Sequence, residues 1–431
     1  MSKNQIKRVS FYTLGCRLNQ AETAILQRSF ERAGYQVVDF RDPSDVVVIN
    51  TCTVTENGDA DTRKAVNRAG RINPEARIAL VGCQAQVQRE RLLQMPRVHW
   101  VVGNARKMDL PQILQSAPAG RPLVLTPPIS SEPFTIAVAG IDRQHTRANL
   151  KIQDGCNFFC AFCEIPFARG RARSRDFDDL SREAEELVRA GHKEIVLTGI
   201  NLGTYRFRGK TIMDVIDRLL QIGGLLRLRI SSIEPTTIPE TLLERMAGNK
   251  KLCRYLHVPV QSGSNRILRA MNRKHSAEEF GEFLERAQKT VPGICLGTDV
   301  IVGFPGETAA DFEETYARLK DWPLAYFHVF SYSDREHARS SRLHGKVPRE
   351  EIERRSRKLR ELSARKRRTY LESMLGREMW VLFEQKKNGY WTGLTDTYIR
   401  VKAASDRNLA NRFVPVRLEK VDGQTVMGRL L

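Results

Sequence analysis

A chain of 431 residues with 41% hydrophobic, 28% charged and 7% aromatic side chains is long enough for about three domains and too apolar for wholesale disorder. Its 70 Lys and Arg against 50 Asp and Glu leave a formal charge of +20, which points to a polyanionic partner, nucleic acid first. No stretch approaches the ~20 apolar residues of a membrane span and the start lacks the apolar region of a signal peptide, so a cytoplasmic chain with no membrane contact is expected. In that compartment eight cysteines serve metal or redox chemistry rather than disulfides.

Residues 9–117 alternate short apolar runs (9–15, 46–50, 78–82) with helical patterns (20–34, 58–72), the rhythm of a parallel α/β sheet. Each run ends in a cysteine: Cys16, Cys52 and Cys83. Parallel strands send their carboxyl ends to one edge, so thiols 36 and 31 positions apart are expected to meet at one rim. Residues 116–140, rich in Pro, Ser and Ala, read as a connector.

A second βα series follows, with strands expected at 148–154, 194–199, 225–232, 254–260, 294–303 and 326–332. Helices are expected between them at 178–191, 212–222, 240–247, 277–291 and 309–319. Six such units predict a complete or partial barrel whose site lies at the carboxyl ends of its strands. Residues 335–377 hold 15 Lys and Arg against 6 Asp and Glu, and Ile352, Leu359, Leu362 and Leu371 fall at helical spacing, which predicts a basic amphipathic helix. Short strands at 380–384, 390–394, 398–401, 413–418 and 425–430, with turns at Asn388-Gly389 and Asp422-Gly423, then predict a small all-β barrel. The expected segments are 6–118, a linker at 119–141, a core at 142–372 and a final barrel at 373–431.

The sharpest chemical feature is Cys156, Cys160 and Cys163, three thiols within eight residues directly after the first expected barrel strand. Four cysteines are the usual complement of an iron–sulfur cluster or a closed structural zinc site, so three leave one metal position open. An open iron takes an exchangeable ligand through amino and carboxylate groups, the chemistry by which S-adenosylmethionine is reduced and cleaved to a radical. The bland alternative is a zinc knuckle completed by a distant His or Cys, although no His stands at knuckle spacing. For Cys16, Cys52 and Cys83 the alternative is buried structural thiols. Cys253 and Cys295, each beside apolar strand residues, read as core.

The basic run is either a solvated face or an RNA contact, and its place ahead of a β-barrel favours RNA. Tyr390, Trp391 and Tyr398 either stack unpaired bases or fill the barrel.

The C-x3-C-x2-C pattern and its surroundings, Lys151-Ile152-Gln153-Asp154-Gly155-Cys156 through Ile165-Pro166-Phe167-Ala168-Arg169-Gly170, resemble the radical S-adenosylmethionine (SAM) tRNA methylthiotransferases. Gly15-Cys16-Arg17-Leu18-Asn19 and Asn50-Thr51-Cys52-Thr53-Val54-Thr55 are similar to that family's auxiliary-cluster motifs, and the tail is similar to its RNA-binding TRAM barrel. The resemblance implies two 4Fe-4S clusters, one on Cys156, Cys160 and Cys163 and one on Cys16, Cys52 and Cys83, together with SAM and a reductant protein of the flavodoxin or ferredoxin kind. It implies SAM contacts at Phe162 on the adenine face, at Gly199 and Gly303 where backbone approaches closely, at Glu234 on ribose hydroxyls, and at Ser232 and Gln261.

The reaction implied is radical transfer of a methylthio group from the auxiliary cluster to carbon 2 of adenosine 37, splayed from the anticodon loop of tRNA. Lys151 through Asn157 and the net charge look most like the group acting on N6-threonylcarbamoyladenosine. Isopentenyladenosine 37 and a ribosomal-protein aspartate are the alternatives within the family. An RNA-binding protein with structural metal and an electron-transfer iron–sulfur protein are the alternatives outside it. Ser331-Tyr332-Ser333-Asp334-Arg335-Glu336-His337-Ala338 departs from the family in lacking the usual Gly-Thr-Pro after Tyr-Ser, so a differently shaped loop is expected after the last barrel strand.

Overall fold

The structure, a computed structural model, describes residues 7–53, 56–116, 121–141 and 146–431. Val54 and Thr55 of the second cysteine motif, 117–120 of the connector and 142–145 at the start of the expected core lie outside the described residues.

The amino-terminal unit is a six-stranded parallel sheet in the order Gln36–Val38, Arg8–Thr13, Val46–Thr51, Arg77–Gly82, Val98–Val102, Leu123–Leu125. Its central strand Val46–Thr51 is buried throughout, as an unbroken apolar run with helices on both faces requires. Val46 and Val48 pack with Phe11, Phe30 and Trp100 on one face, while Val47 and Ile49 pack with Val66, Leu80 and Leu92 on the other. Leu123–Leu125, inside the segment read as a connector, adds an edge strand beside Val98–Val102. Three apolar residues flanked by prolines carry too little periodicity to announce a strand, and only the neighbouring ladder fixes them.

All six expected barrel runs carry a strand. Arg147–Lys151, Glu194–Thr198 and Arg227–Ile230 form one parallel sheet, and Tyr255–His257, Cys295–Val302 and Tyr326–Ser331 form another. The bridge from Leu228 to Leu252 relates the two halves, so the barrel is partial, with Arg147–Lys151 and Tyr326–Ser331 as its outer edges. Helix Arg17–Arg32 of the amino-terminal unit packs along the first of these edges, which brings Cys16, at that helix's amino end, to the open side of the barrel.

Helix Arg349–Glu372 buries Leu359, Leu362 and Leu371 and keeps Arg354, Arg357, Arg360, Arg365 and Arg368 toward solvent, the amphipathic division expected. It begins later than residue 335, because Pro348 sits at its amino cap and the preceding segment is irregular apart from the turn Arg339–Arg342. The last five strands close into a barrel in the order Glu378–Lys387, Tyr390–Leu394, Arg400–Ala404, Thr425–Leu430, Phe413–Asp422. Among the described residues no helix is long and apolar enough to cross a membrane.

The aromatics of this barrel do not sit as a base-stacking set. Trp391 is core, 8% exposed, because it falls on the inward phase of its strand. Tyr398 turns inward under the larger barrel, 4.8 Å from Tyr255, and its hydroxyl accepts from Arg17. Tyr390 is exposed, and so is Trp380, which lies on Phe413 at 5.0 Å with 13° between the rings.

The small barrel caps the amino-terminal ends of the larger barrel's strands, opposite the cysteine loops. Arg229 donates to Thr395 O at 2.9 Å and Asp396 O at 2.8 Å, Arg227 to Leu394 O at 2.8 Å, and Arg147 pairs with Glu384 at 2.8 Å. Glu194 is the buried anion at the centre. Burial works to raise its pKa, but Arg229, Arg227 and Arg147 overcome this and lower it from 4.5 to about 2. A carboxylate depressed in the folded state contributes stability that is fully present above pH ~4.5 and is lost as pH falls toward about 2, at most roughly 3 kcal/mol here. Glu194→Gln is therefore expected to melt well below the parent at pH 7, with the gap constant down to pH ~5 and narrowing below it. A gap that does not change with pH would contradict this assignment.

Candidate functional site

Three thiols meet at the carboxyl rim of the amino-terminal sheet. Cys16 caps helix Arg17–Arg32, Cys52 follows strand Val46–Thr51, and Cys83 follows strand Arg77–Gly82, three neighbours in the sheet. The chain geometry is set by two glycines. Gly15 has φ +87°, and a Cβ there would lie 2.7 Å from Cys52 Cβ; Gly82 has φ +99°, and a Cβ there would lie 2.5 Å from Asn50 Oδ1. Asn19 Nδ2 donates to Leu14 O (2.8 Å) and Thr51 O (3.0 Å), stitching the first two cysteine loops together. Thr51 Oγ1 donates to Val81 O at 2.7 Å and accepts from Ala85 N at 3.3 Å, tying the second to the third. Asn104 Nδ2 donates to Cys83 Sγ at 3.6 Å and to Ala168 O at 2.6 Å, so it reaches across to the other half of the molecule.

Cys156, Cys160 and Cys163 occupy the loop after strand Gln153–Asp154, all half-buried. Phe158 N donates to Cys156 Sγ at 3.5 Å, and Arg273 Nη1 donates to Cys160 Sγ at 3.4 Å. Burial raises all three thiols, Cys156 to about 11, so thiolate here requires a positive partner such as a metal. Their donors fit a cluster better than a single ion. Tetrahedral zinc with Zn–S near 2.3 Å needs sulfurs about 3.8 Å apart. The one set of three His, Cys, Asp or Glu donors that closes to within 4.8 Å among the described residues is His257, Asp299 and His328, not these thiols. N–H groups aimed at cysteine sulfur are the protein's means of tuning iron–sulfur clusters.

The residues expected to touch SAM divide. Phe162 and Gln261 line one cavity together with Cys163, Asp299, Phe330 and Tyr332. Gln261 adopts φ +77° while its backbone amide donates to Asp299 O at 2.9 Å. Ser232 Oγ is hydrogen-bonded to His257 Nδ1 at 3.0 Å, and His257 Nε2 to Asp299 at 3.0 Å. Glu234 engages Arg273 through both oxygens, at 3.3 and 2.5 Å, and thereby supports the bond to Cys160. Gly199 has no room for a Cβ beside Gln153 and Leu202, and Gln153 Oε1 accepts from the next two amides, Ile200 N and Asn201 N. Gly303 has φ +81°, with Ile352 of the basic helix pressed against the place a Cβ would take. Phe162 and Gln261 thus line the cavity, and Gly199, Ser232, Glu234 and Gly303 are not among its lining residues.

Other residues join the site through pairings that the sequence does not announce. The loop lacking Gly-Thr-Pro uses its charged residues to dock: Arg335 pairs with Asp59 at 2.8 Å and Arg91 with Glu336 at 3.0 Å. His337 pairs with Glu164, next to Cys163, at 2.5 Å. A buried ionic junction between the two thiol trios is formed by Glu22, Lys107, Lys151, Asp154, Arg169 and Arg173. Charged residues far apart in sequence announce a shared site only once the fold joins them.

Comparison with known proteins gives this arrangement its relatives. Residues 150–319 match the Radical SAM superfamily, and residues 8–103 match "Uncharacterized protein family UPF0004". The threonylcarbamoyladenosine tRNA methylthiotransferase MtaB of Aquifex aeolicus is 39% identical over 401 residues, covering 92% of this chain and 96% of its own. The MtaB protein of Bacillus subtilis is 37% identical over 429 residues, covering 96% and 94%. A tRNA-2-methylthio-N(6)-dimethylallyladenosine synthase of Cereibacter sphaeroides is 33% identical, covering 99% of each chain. Among solved structures, the radical SAM methyltransferase TsrM of Kitasatospora setae, with cobalamin and a [4Fe-4S] cluster bound, shares the fold at a TM-score of 0.57 and 15% identity, covering 78% of this chain and 77% of that one.

Proposed function

Because this chain belongs to the radical SAM methylthiotransferases, we propose that it attaches a methylthio group to carbon 2 of N6-threonylcarbamoyladenosine at position 37 of tRNA. The observation that carries the reading is the pair of thiol trios, Cys16, Cys52 and Cys83 on one rim and Cys156, Cys160 and Cys163 on the other, with Asn104 joining Cys83 to Ala168 O in the helix that follows the second trio. Each trio would hold a four-iron cluster with one iron open. When bound, the clusters and SAM supply a carbon radical for a ring hydrogen that no side-chain base of ordinary pKa removes, together with a sulfur source.

The chain's own residues do the rest. Arg273, buried and held by Glu234 and Pro259 O (2.7 Å), donates to Cys160 and keeps positive charge beside that trio. Phe162 offers an apolar face for adenine in the cavity it shares with Gln261 and Asp299. The Ser232–His257–Asp299 chain holds polar groups in fixed orientation on the same barrel wall. Asn19 and Thr51 fix the amino-terminal trio, and the docked loop at Arg335 and His337 closes the edge between the halves. An external one-electron reductant of the flavodoxin or ferredoxin kind completes the requirement.

Nucleoside mass spectrometry of tRNA from cells with and without this gene tests the reading. Loss of 2-methylthio-N6-threonylcarbamoyladenosine, with its unthiolated precursor accumulating, is expected. Loss of the isopentenyl product instead would move the substrate to the other adenosine.

The solvent face of helix Arg349–Glu372 supports RNA binding. Arg357 and Arg360 are exposed there. Removing both, as Arg357→Ala with Arg360→Ala, is expected to weaken tRNA binding and to make log K fall less steeply with log salt, by about one in slope for each phosphate no longer neutralised. An unchanged slope would assign the face to solvent.

A further inference from the structure

Three neighbouring strands of the larger barrel, Tyr255–His257, Cys295–Val302 and Tyr326–Ser331, build a polar layer inside it. Their register pairs His257 with Gly297, Gly297 with Tyr326, and Asp299 with His328, so alternate residues of all three strands share one side. Tyr255 and Tyr326, with hydroxyls 2.8 Å apart, form the lower layer of that side. His257, Asp299 and His328 form the next, and Gln261, Ile301 and Phe330 line the cavity of about 150 Å³ that Asp299 also reaches.

The middle layer has the donors of a metal site. One ligand atom from each of His257, Asp299 and His328 lies within 4.8 Å of the others. Two imidazoles and a carboxylate are the set taken by borderline divalent ions, and three protein donors leave further positions open. His257 Nε2 stands 3.0 Å from Asp299 Oδ1. Adjacent donors on a six-coordinate ion with bonds of about 2.1 Å are separated by roughly 3.0 Å.

The layer is also oriented as ligands are. Ser232 Oγ lies 3.0 Å from His257 Nδ1 and donates to His257 O at 3.5 Å, so it accepts from Nδ1–H and leaves the Nε2 lone pair directed at Asp299. Two acceptors then face each other, and a cation between them satisfies both. The His328 ring is held between Tyr326 at 5.2 Å and Phe330 at 6.4 Å, 5.9 Å from His257. It is exposed on the barrel's outer strand, so an ion has a way in from the open side.

We infer that His257, Asp299 and His328 bind one divalent first-row transition-metal ion, at a site separate from the six thiols and with its open positions toward the cavity. Bound there, the ion is a Lewis acid for an oxygen donor entering that cavity.

Mn2+ is the probe, because it favours oxygen and nitrogen donors over thiolate and is not drawn to the cysteines whether or not they carry iron. The full chain, reconstituted anaerobically and held oxidised, is titrated with manganese chloride while the electron paramagnetic resonance of the free ion is followed. One Mn2+ per chain is expected, with pulsed resonance showing coupling to two imidazole nitrogens. His328→Ala and Asp299→Asn are each expected to weaken binding at least tenfold. His328→Ala replaces an exposed side chain, so its iron content and melting temperature should match the parent, which separates loss of a ligand from loss of the fold. His257→Ala should leave coupling to a single nitrogen in whatever Mn2+ still binds. A parent that takes up no Mn2+ would overturn the inference, as would bound Mn2+ without nitrogen coupling or an affinity that His328→Ala and Asp299→Asn leave unchanged. In each of these cases His257 Nε2–H simply donates to Asp299 and the layer is a hydrogen-bonded wall.

Discussion

Cys160→Ala is expected to abolish reductive cleavage of SAM, read as 5′-deoxyadenosine formed per chain under a strong reductant. In the loop after Gln153–Asp154, Cys160 receives the Arg273 guanidinium at 3.4 Å, and Arg273 is itself fixed by Glu234 and by Pro259 O. Removing the sulfur would take away one of the three proposed iron ligands and leave the buried guanidinium facing a methyl group, so both the coordination and its electrostatic support would go at once. Iron is expected to fall from about eight to about four per chain while the amino-terminal cluster persists. Deoxyadenosine formed at the parent rate would move the radical chemistry elsewhere. Arg273→Lys keeps the charge but not the forked geometry that spans Cys160, Glu234 and Pro259, and is expected to retain iron with a shifted potential.

The thiols proposed to carry this chemistry could be placed from the chain because each trio follows a readable pattern. Cys156, Cys160 and Cys163 lie in one loop, and Cys16, Cys52 and Cys83 each follow an apolar run whose parallel pairing sends it to the same rim. Helix Arg349–Glu372 was legible for a similar reason, since its leucines keep a helical period through a strongly charged run. What pairs across long separations was not. Arg169 finds Glu22 from 147 positions away, and Arg335 finds Asp59 from 276. Trp391 and Tyr398 show the limit from the other side: an aromatic next to a turn reads equally as a stacking surface or as core, and only the closure of the barrel and its docking on Tyr255 decide the matter. Glu234 is a third case, where a carboxylate at a strand end reads as a ribose contact while nothing in the chain announces that Arg273, 39 positions on, engages both its oxygens.

On the proposed function, Cys52→Ala is the variant that should most clearly separate the two halves of the reaction. SAM cleavage should remain measurable, because the loop of Cys156 through Cys163 and its Arg273 support are untouched, while methylthio transfer to tRNA should stop. Gly15→Ala reaches the same end by geometry alone. At φ +87° a side chain costs roughly 1–2 kcal/mol in the backbone, and a Cβ 2.7 Å from Cys52 Cβ and 2.8 Å from its Sγ overlaps the Cys52 side chain. The neighbours cannot retreat freely, since Asn19 pins Leu14 O and Thr51 O on either side. Gly15→Ala is thus expected to lose about four irons per chain and to form deoxyadenosine without methylthiolated product. Because this variant keeps all eight cysteines, retention of every iron and of transfer activity would show that the rim tolerates a wider spacing than a cluster allows, and the trio would then be three packed thiols.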